Sequence, residues 1–297
     1  MSSTSATKRI VVCGGNGFLG SRICKFAVQR GWDVTSISRS GAPKWNTVTA
    51  SSTPPPWSHK ITWERGDILK PATYAAFLKG ADYVVHSMGI LLEADYKNVV
   101  RGQESPIAGL RKAFTSAPQP GNPLQRGVES SNDTESDIRP PETKEQLTYE
   151  NMNRDSAIML AKESARENVS AFVYISAAGG APVLPARYIT TKREAESVIA
   201  SEFPRMRGVF VRPPFLYDSS RVITMPMAAM TGVGALFNGV TGGIFGNIMG
   251  AAGVKPLKVD VVAEAVVQAL SDENVRGPVE VPEIEELANK SWRNTML

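Results

Sequence analysis

A short apolar run, Arg9 to Cys13 (RIVVC), ends directly on Gly14-Gly15-Asn16-Gly17-Phe18-Leu19-Gly20, and a segment with helix-spaced apolar residues, Ser21 to Arg30, follows. No other feature restricts the fold as tightly. A strand that turns on glycines and continues as a helix opens a βαβ unit. Gly14 permits the tight turn, Gly17 lets the backbone approach a pyrophosphate, and Gly20 lets the helix pack close to the strand. The helix N-terminus offers N–H groups to an anion. Asn16, Phe18 and Leu19 complete this candidate dinucleotide-binding turn.

The rest of the chain repeats the alternation. Strand-like runs fall at Asp33 to Ser38, Ile61 to Glu64, Asp82 to His86, Ala171 to Ile175 and Gly208 to Val211. Helical patterns fall at Tyr74 to Leu78, Tyr149 to Asn168 and Tyr188 to Ser201. This βαβ order predicts an α/β fold, a doubly wound parallel sheet of the Rossmann type with a small C-terminal cap region, spanning residues 8–270 as one NAD(P)-binding domain. Two stretches depart from it. Residues 102–146 are rich in Pro, Ser, Asn and charge and read as an insertion, either a surface loop or a partner-binding segment. Residues 222–254 carry no charge and many Gly and Met, with Gly242, Gly246 and Gly250 at GxxxGxxxG spacing. This second stretch reads as a cap over a substrate cleft, as a docking element for a membrane surface or partner, or as a membrane span.

Composition narrows the chemistry. A formal net charge of +4, without a dense basic block, does not point to nucleic acid. Cys13 and Cys24 read as free, buried thiols, consistent with a reducing compartment. His59 and His86 lack neighbours at ligand spacing, so neither a metal site nor a His-based triad is expected. Residues 1–9 hold no apolar stretch of a secretory signal and little of the arginine of a mitochondrial presequence.

Further candidates sit at strand ends, where a cofactor lies in this architecture. Ser38-Arg39 occupies the tip where NAD enzymes place a carboxylate on the ribose; Arg39 suits a 2′-phosphate, so NADP(H) is expected in preference to NAD(H), unless Arg39 is simply solvated. Asp67 either accepts from the adenine amino group or serves as a plain turn residue. Ser87 and Gly89 follow the fourth strand. Tyr188 and Lys192, four apart, share a helix face, and the ammonium is expected to lower the phenol pKa toward the working range of an acid/base. Lys192 is also placed to bond the nicotinamide ribose.

Together these motifs resemble the short-chain dehydrogenase/reductase superfamily in its extended or atypical branch. The resemblance also takes in Gly66-Asp67, Asn153, Arg212-Pro213-Pro214 through Tyr217, and Val259 to Ala263, and it implies cofactor contact at Pro213. The stretches VVHSMGILLE, YENMNRDSAIMLA and YITTKREAE are similar to fungal mitochondrial members associated with the coenzyme Q (ubiquinone) biosynthetic complex. More distantly, the chain is similar to NADPH-binding accessory subunits of respiratory complex I. This implies a place on the matrix side of the mitochondrial inner membrane, quinone biosynthetic proteins as partners and peripheral membrane contact. The superfamily's substrate-bonding Ser or Thr, thirteen residues before Tyr188, is here Ile175; Ser176 is one step off and is followed by Ala177 and Ala178. Two functions follow: NADP(H)-dependent hydride transfer on a quinone-ring or polyprenyl-linked substrate, with Tyr188, Lys192 and Ser176 as catalytic residues, or a non-catalytic NADP(H)-binding subunit of the quinone biosynthetic or a respiratory complex.

Overall fold

β-Branched and apolar runs become buried parallel strands: β1 (Arg9–Cys13), β2 (Asp33–Ser38), β3 (Ile61–Arg65), β4 (Tyr83–His86), β5 (Ala171–Ile175) and β6 (Arg207–Val211). The computed structural model describes residues 6–49, 51–89, 148–179, 186–218 and 255–296. The expectations for residues 102–146 and 222–254, including Gly242, Gly246 and Gly250, lie outside these residues. The chain divides into two units, Met1–Gly89 with Tyr149–Leu297, and Ile90–Thr148. The strands and their covering helices all belong to the first unit.

The main sheet has the strand order β3-β2-β1-β4-β5-β6-β9, all pairs parallel, where β9 is Gly277–Val279. The order reverses beside β1, so the carboxyl ends of β1 and β4 open a crevice at the switch point. Helix α1 (Phe18–Gln29) begins three residues before the periodicity suggests, because Gly17 already serves as its N-cap. Short helices α2 (Trp45–Val48) and α3 (Ala75–Leu78) precede β3 and β4 respectively. The long helical pattern from Tyr149 is two pieces: a π-helical turn, Glu150–Asp155, then α4 (Ser156–Arg166). α5 (Ala186–Glu202) leads to β6.

α6 (Val259–Ser271) packs against α1, β9 joins the main sheet beyond residue 270, and α7 (Val281–Met296) covers α6. The core between sheet and helices takes Ile10 and Val12 from β1, Ile23 and Ala27 from α1, and Val262, Val266 and Leu270 from α6. Fully burying each of these Ile, Val and Leu side chains is worth about 1.5–3 kcal/mol. Arg207 ties β6 to the end of α6, donating to the carbonyls of Ala269, Leu270, Asp272 and Val275 at 2.7–3.1 Å. A second, two-stranded parallel sheet pairs β7 (Leu216–Tyr217) with β8 (Leu257–Lys258). Arg22 of α1 pairs with Asp218 beside β7 at 2.9 Å and with Asp260 of α6 at 3.1 Å, the latter as an ion pair without hydrogen-bond alignment. Cys13 and Cys24 are free and buried, as expected; burial pushes both thiols up, Cys13 to about 12. Among the described residues no helix is long and apolar enough to cross a membrane, and no cluster of His, Cys, Asp and Glu has metal-binding geometry.

Candidate functional site

The glycine turn lies at the carboxyl end of β1. Gly14 has φ +86°, a left-handed conformation that a side chain disfavours. A methyl group at Gly20 would sit 2.2 Å from the Gly14 carbonyl oxygen, so this position sets how closely α1 approaches the turn. At Gly17 a methyl group would meet only Gly14 O, at 3.1 Å, which leaves the outer face for an approaching group. Gly15, not singled out in the sequence, is equally constrained: a methyl there would fall 2.3 Å from Ser36 Oγ and 3.0 Å from Cys24 Sγ. Phe18 and Leu19 open α1, whose N-cap is backbone only, with no side chain bonded across it. The donors of its first turn and its dipole favour an anion at this end.

β2 ends in the turn Ser38 to Gly41. Ser38 Oγ donates to Gly41 O at 2.8 Å, and Asn16 Nδ2 donates to Ser40 Oγ at 2.8 Å, fastening this turn to the glycine loop. Arg39 projects from it, exposed, without an ion pair or side-chain hydrogen bond among the described residues. Asp67 sits in a turn of its own: Oδ1 accepts from Leu69 N–H at 3.1 Å, and Oδ2 lies 3.8 Å from Lys70 Nζ. The carboxylate is thereby partly engaged within its own turn. At the end of β4, Ser87 N–H donates to Cys13 O, bringing Ser87 beside the glycine turn. A methyl at Gly89 would lie 3.0 Å from Asn153 Oδ1 and 3.5 Å from Lys192 Nζ, so the chain passes close over both.

Lys192 and Tyr188 do share a face of α5, but not in the manner expected. Lys192 is only 4% exposed, and its Nζ donates to Ile175 O at 3.0 Å. Nζ also sits 5.2 Å from the Tyr174 ring centroid and 5.7 Å from that of Tyr188. The charge therefore faces the tyrosine ring, not a hydrogen-bonded phenol oxygen. Desolvation then dominates both groups. Burial pulls Lys192 down to about 7, against a raising effect of Glu196, and pushes Tyr188 up to about 12. The ammonium therefore does not lower the phenol, contrary to what the spacing of the two residues suggests. Tyr188 packs edge-on against Tyr149, ring centroids 5.8 Å apart.

Ser176 is buried at the end of β5, and the structure brings its hydroxyl to Arg193 instead of to Tyr188. Oγ accepts from Arg193 Nη1 at 2.9 Å, while Nη2 donates to Ala177 O at 2.8 Å. Arg193 is held in turn by Glu196, which also pairs with Arg212, and Arg212 reaches Glu280. Pro213 O accepts from Ala178 N–H at 2.9 Å, so Pro213 lines the same end of the sheet.

Four neighbours escaped the sequence reading as site residues. Tyr174, fully buried, donates through its hydroxyl to Asn153 O in the π turn. His86 Nε2 lies 2.8 Å from Ser156 Oγ. Since Ser156 Oγ donates to Met152 O, Nε2 is the donor and Nδ1, without a partner, is the bare nitrogen. Burial and Lys192 pull His86 down to about 3, so it is neutral. Asn153 had appeared only among the matching motifs, and Arg193 only as a helix residue. A residue's spacing along the chain does not reveal these contacts, which the crossing of β4, β5 and the π turn creates.

The signature of the NAD dependent epimerase/dehydratase family matches residues 10–99. MIOREX complex component 2 of Saccharomyces cerevisiae is 37% identical over 227 residues, covering 72% of this chain and 74% of that protein. Among solved structures, UDP-glucuronic acid 4-epimerase from Bacillus cereus in complex with NAD superposes with a TM-score of 0.53 at 15% identity, over 92% of this chain and 76% of that one. The Bordetella bronchiseptica enzyme WbmH in complex with NAD+ gives 0.53 at 16% identity, over 98% and 82%. At such identities the two structures share the fold.

Proposed function

Because this chain belongs to the short-chain dehydrogenase/reductase superfamily, in its extended or atypical branch, and is similar over most of its length to yeast MIOREX complex component 2, we propose that it is an NADP(H)-binding oxidoreductase of mitochondrial ubiquinone biosynthesis, acting on a quinone-ring or polyprenyl-linked intermediate. Arg39 carries the reading. It stands at the end of β2 as an exposed cation with no acidic partner among the described residues, where a ribose-binding carboxylate would repel a 2′-phosphate. The rest of the crevice fits a dinucleotide: Gly14, Gly17 and Gly20, with Asn16, Phe18 and Leu19, would hold the pyrophosphate, and Ser38 and Asp67 the adenosine side. Ser87, Gly89, Pro213 and Lys192 would hold the nicotinamide side.

Bound NADP(H) supplies or accepts a hydride. The proton is the protein's part. A phenol pushed up to about 12 is protonated at neutral pH, so Tyr188 serves as a donor in reduction and is a poor base for oxidation. Lys192, pulled down to about 7, populates both its protonated and neutral forms near neutrality. We place the protein on the matrix side of the inner membrane, with quinone biosynthetic proteins as partners and peripheral membrane contact; the motif resemblance supports this, and a relative named as a complex component supports assembly with other proteins.

One observation favours the second reading, a non-catalytic NADP(H)-binding subunit of the quinone biosynthetic or a respiratory complex. Ser176 Oγ is taken up by Arg193, and Lys192 Nζ by Ile175 O, so the hydroxyl, phenol and ammonium are not bonded to one another. Tyr188→Phe separates the two. In cells, the oxidoreductase reading expects a fall in ubiquinone of about 100-fold or more with NADPH affinity intact. Undiminished ubiquinone with intact affinity establishes the subunit.

A further inference from the structure

The edge strand β3 and the short helical turns before it gather three of the chain's five tryptophans. Trp45 opens α2, Trp57 lies in the helical turn Pro56–Lys60, and Trp63 belongs to β3. The ring of Trp45 meets both of the others edge to face, with centroids 5.6 Å from Trp57 and 5.8 Å from Trp63. Trp57 and Trp63 lean on the hydrophobic core, Trp45 caps them, and all three stay only half-buried. Trp63 Nε1 donates to Ser58 O at 3.1 Å. The indole N–H groups of Trp45 and Trp57 have no hydrogen-bond partner among the described residues and are open to solvent.

The charge around this cluster has one sign. From Val34 to Trp63 the sequence contains no Asp or Glu. Lys44 precedes Trp45, and His59 and Lys60 close the turn of Trp57; all three are exposed, and both lysines lack an ion pair among the described residues. Indoles flanked by lysines, with N–H groups left for an outside acceptor, match the headgroup level of a bilayer. There the rings meet the acyl boundary, the N–H groups meet ester and phosphate oxygens, and the ammonium groups meet anionic phosphates. A strand of nucleotides fits the same surface less well, because the edge-to-face packing covers ring faces on which a base would stack.

We propose that the Trp45–Trp57–Trp63 edge, with Lys44 and Lys60, docks this protein on an anionic lipid surface. This rests on the peripheral membrane contact of the proposed function and assigns that contact to a surface among the described residues. The full-length protein is floated with vesicles of phosphatidylcholine alone and of phosphatidylcholine mixed with phosphatidylglycerol. The wild type binds the mixed vesicles more tightly by about tenfold or more, and added salt shrinks the difference. Lys44→Gln combined with Lys60→Gln lowers binding to the mixed vesicles about thirtyfold, a factor of about five for each cation. Trp45→Ala lowers it about tenfold through the lost apolar contact. The lysine variant, altered only at exposed positions, decides the matter if the alanine variant does not fold. Folded variants that float like the wild type overturn this surface and leave membrane contact to another part of the chain. A wild type that ignores both kinds of vesicle overturns the membrane contact itself. Equal binding to neutral and mixed vesicles, or displacement from the mixed vesicles by single-stranded RNA, overturns the anionic lipid as the occupant.

Discussion

Gly17 and Gly20 lie three residues apart in one turn, yet space separates their roles. At Gly20 a methyl group has nowhere to go, because the obstacle 2.2 Å away is backbone. Gly20→Ala is expected to destabilise by about 3–5 kcal/mol, read by urea unfolding. At Gly17 the single contact at 3.1 Å can give by a few tenths of an ångström, so Gly17→Ala is expected to fold with a cost of about 1 kcal/mol or less and to bind NADPH about tenfold or more weakly. Equal stability losses for the two would contradict the assignment. Lys192 gives a pH signature. Its proton is held more weakly folded, at about 7, than at the ordinary lysine value of 10.5. From about pH 7 to 10.5 the unfolded chain therefore holds more protons, and stability rises with pH across that window. Below it the cost of the buried charge is present in full. Lys192→Met removes that cost along with the bond to Ile175 O. It should stabilise the protein at pH 7 by on the order of 2 kcal/mol and flatten the rise. Melting temperatures from pH 6 to 10 that fall at pH 7, or keep the slope, would refute it. The glycines, Arg39 and the Tyr188–Lys192 spacing were legible in sequence because local backbone and helix period determine them. Tyr174, His86 and Arg193 were not, since their partners come from other strands and helices.

The elements were legible in proportion to their apolar content. Strands such as Ala171–Ile175, buried throughout, declare themselves as apolar runs. Gly277–Val279, with Gly, Pro and a single Val, does not, although it extends the sheet at its edge. The π turn at Glu150–Asp155 reads as ordinary helix because it runs without a break into the helical pattern of Ser156–Arg166; in the structure its Asn153 carbonyl accepts from the Tyr174 hydroxyl. At the same end of the sheet, Glu196 of α5 joins Arg193, Arg212 after β6 and, through Arg212, Glu280 after β9. Glu196 is 4% exposed. Its removal leaves the Arg193 guanidinium without a carboxylate beside Ser176 and Arg212 with Glu280 alone, and Glu196→Ala is expected to cost about 3 kcal/mol. Adding Arg212→Ala should restore part of that loss, a coupling that a double-mutant cycle in urea measures. Additive losses would show that the three charges act independently.

At the scale of the molecule, a sheet ordered β3-β2-β1-β4-β5-β6-β9 brings the ends of β1, β2 and β4 to one crevice and those of β5 and β6 beside it. The βαβ alternation along the chain sufficed to foresee this parallel, doubly wound sheet, because each crossover permits one hand. It did not foresee that residues beyond 270 complete the sheet and cover α6, since their pattern is short and half polar. On this scaffold the glycine turn, the Ser38–Gly41 turn and Ser87 meet at one crevice, while Ser176, Tyr188 and Lys192 are each held by different partners. Cofactor binding is thus the property on which both functional readings depend. The direct measurement is titration of the full-length protein with NADPH and with NADH, following thermal unfolding. The expected result is tighter binding of NADPH by about tenfold or more, with about 2.7 kcal/mol of stabilisation at one hundred times its Kd. Binding of neither dinucleotide, or of NADH as tightly as NADPH, would contradict it.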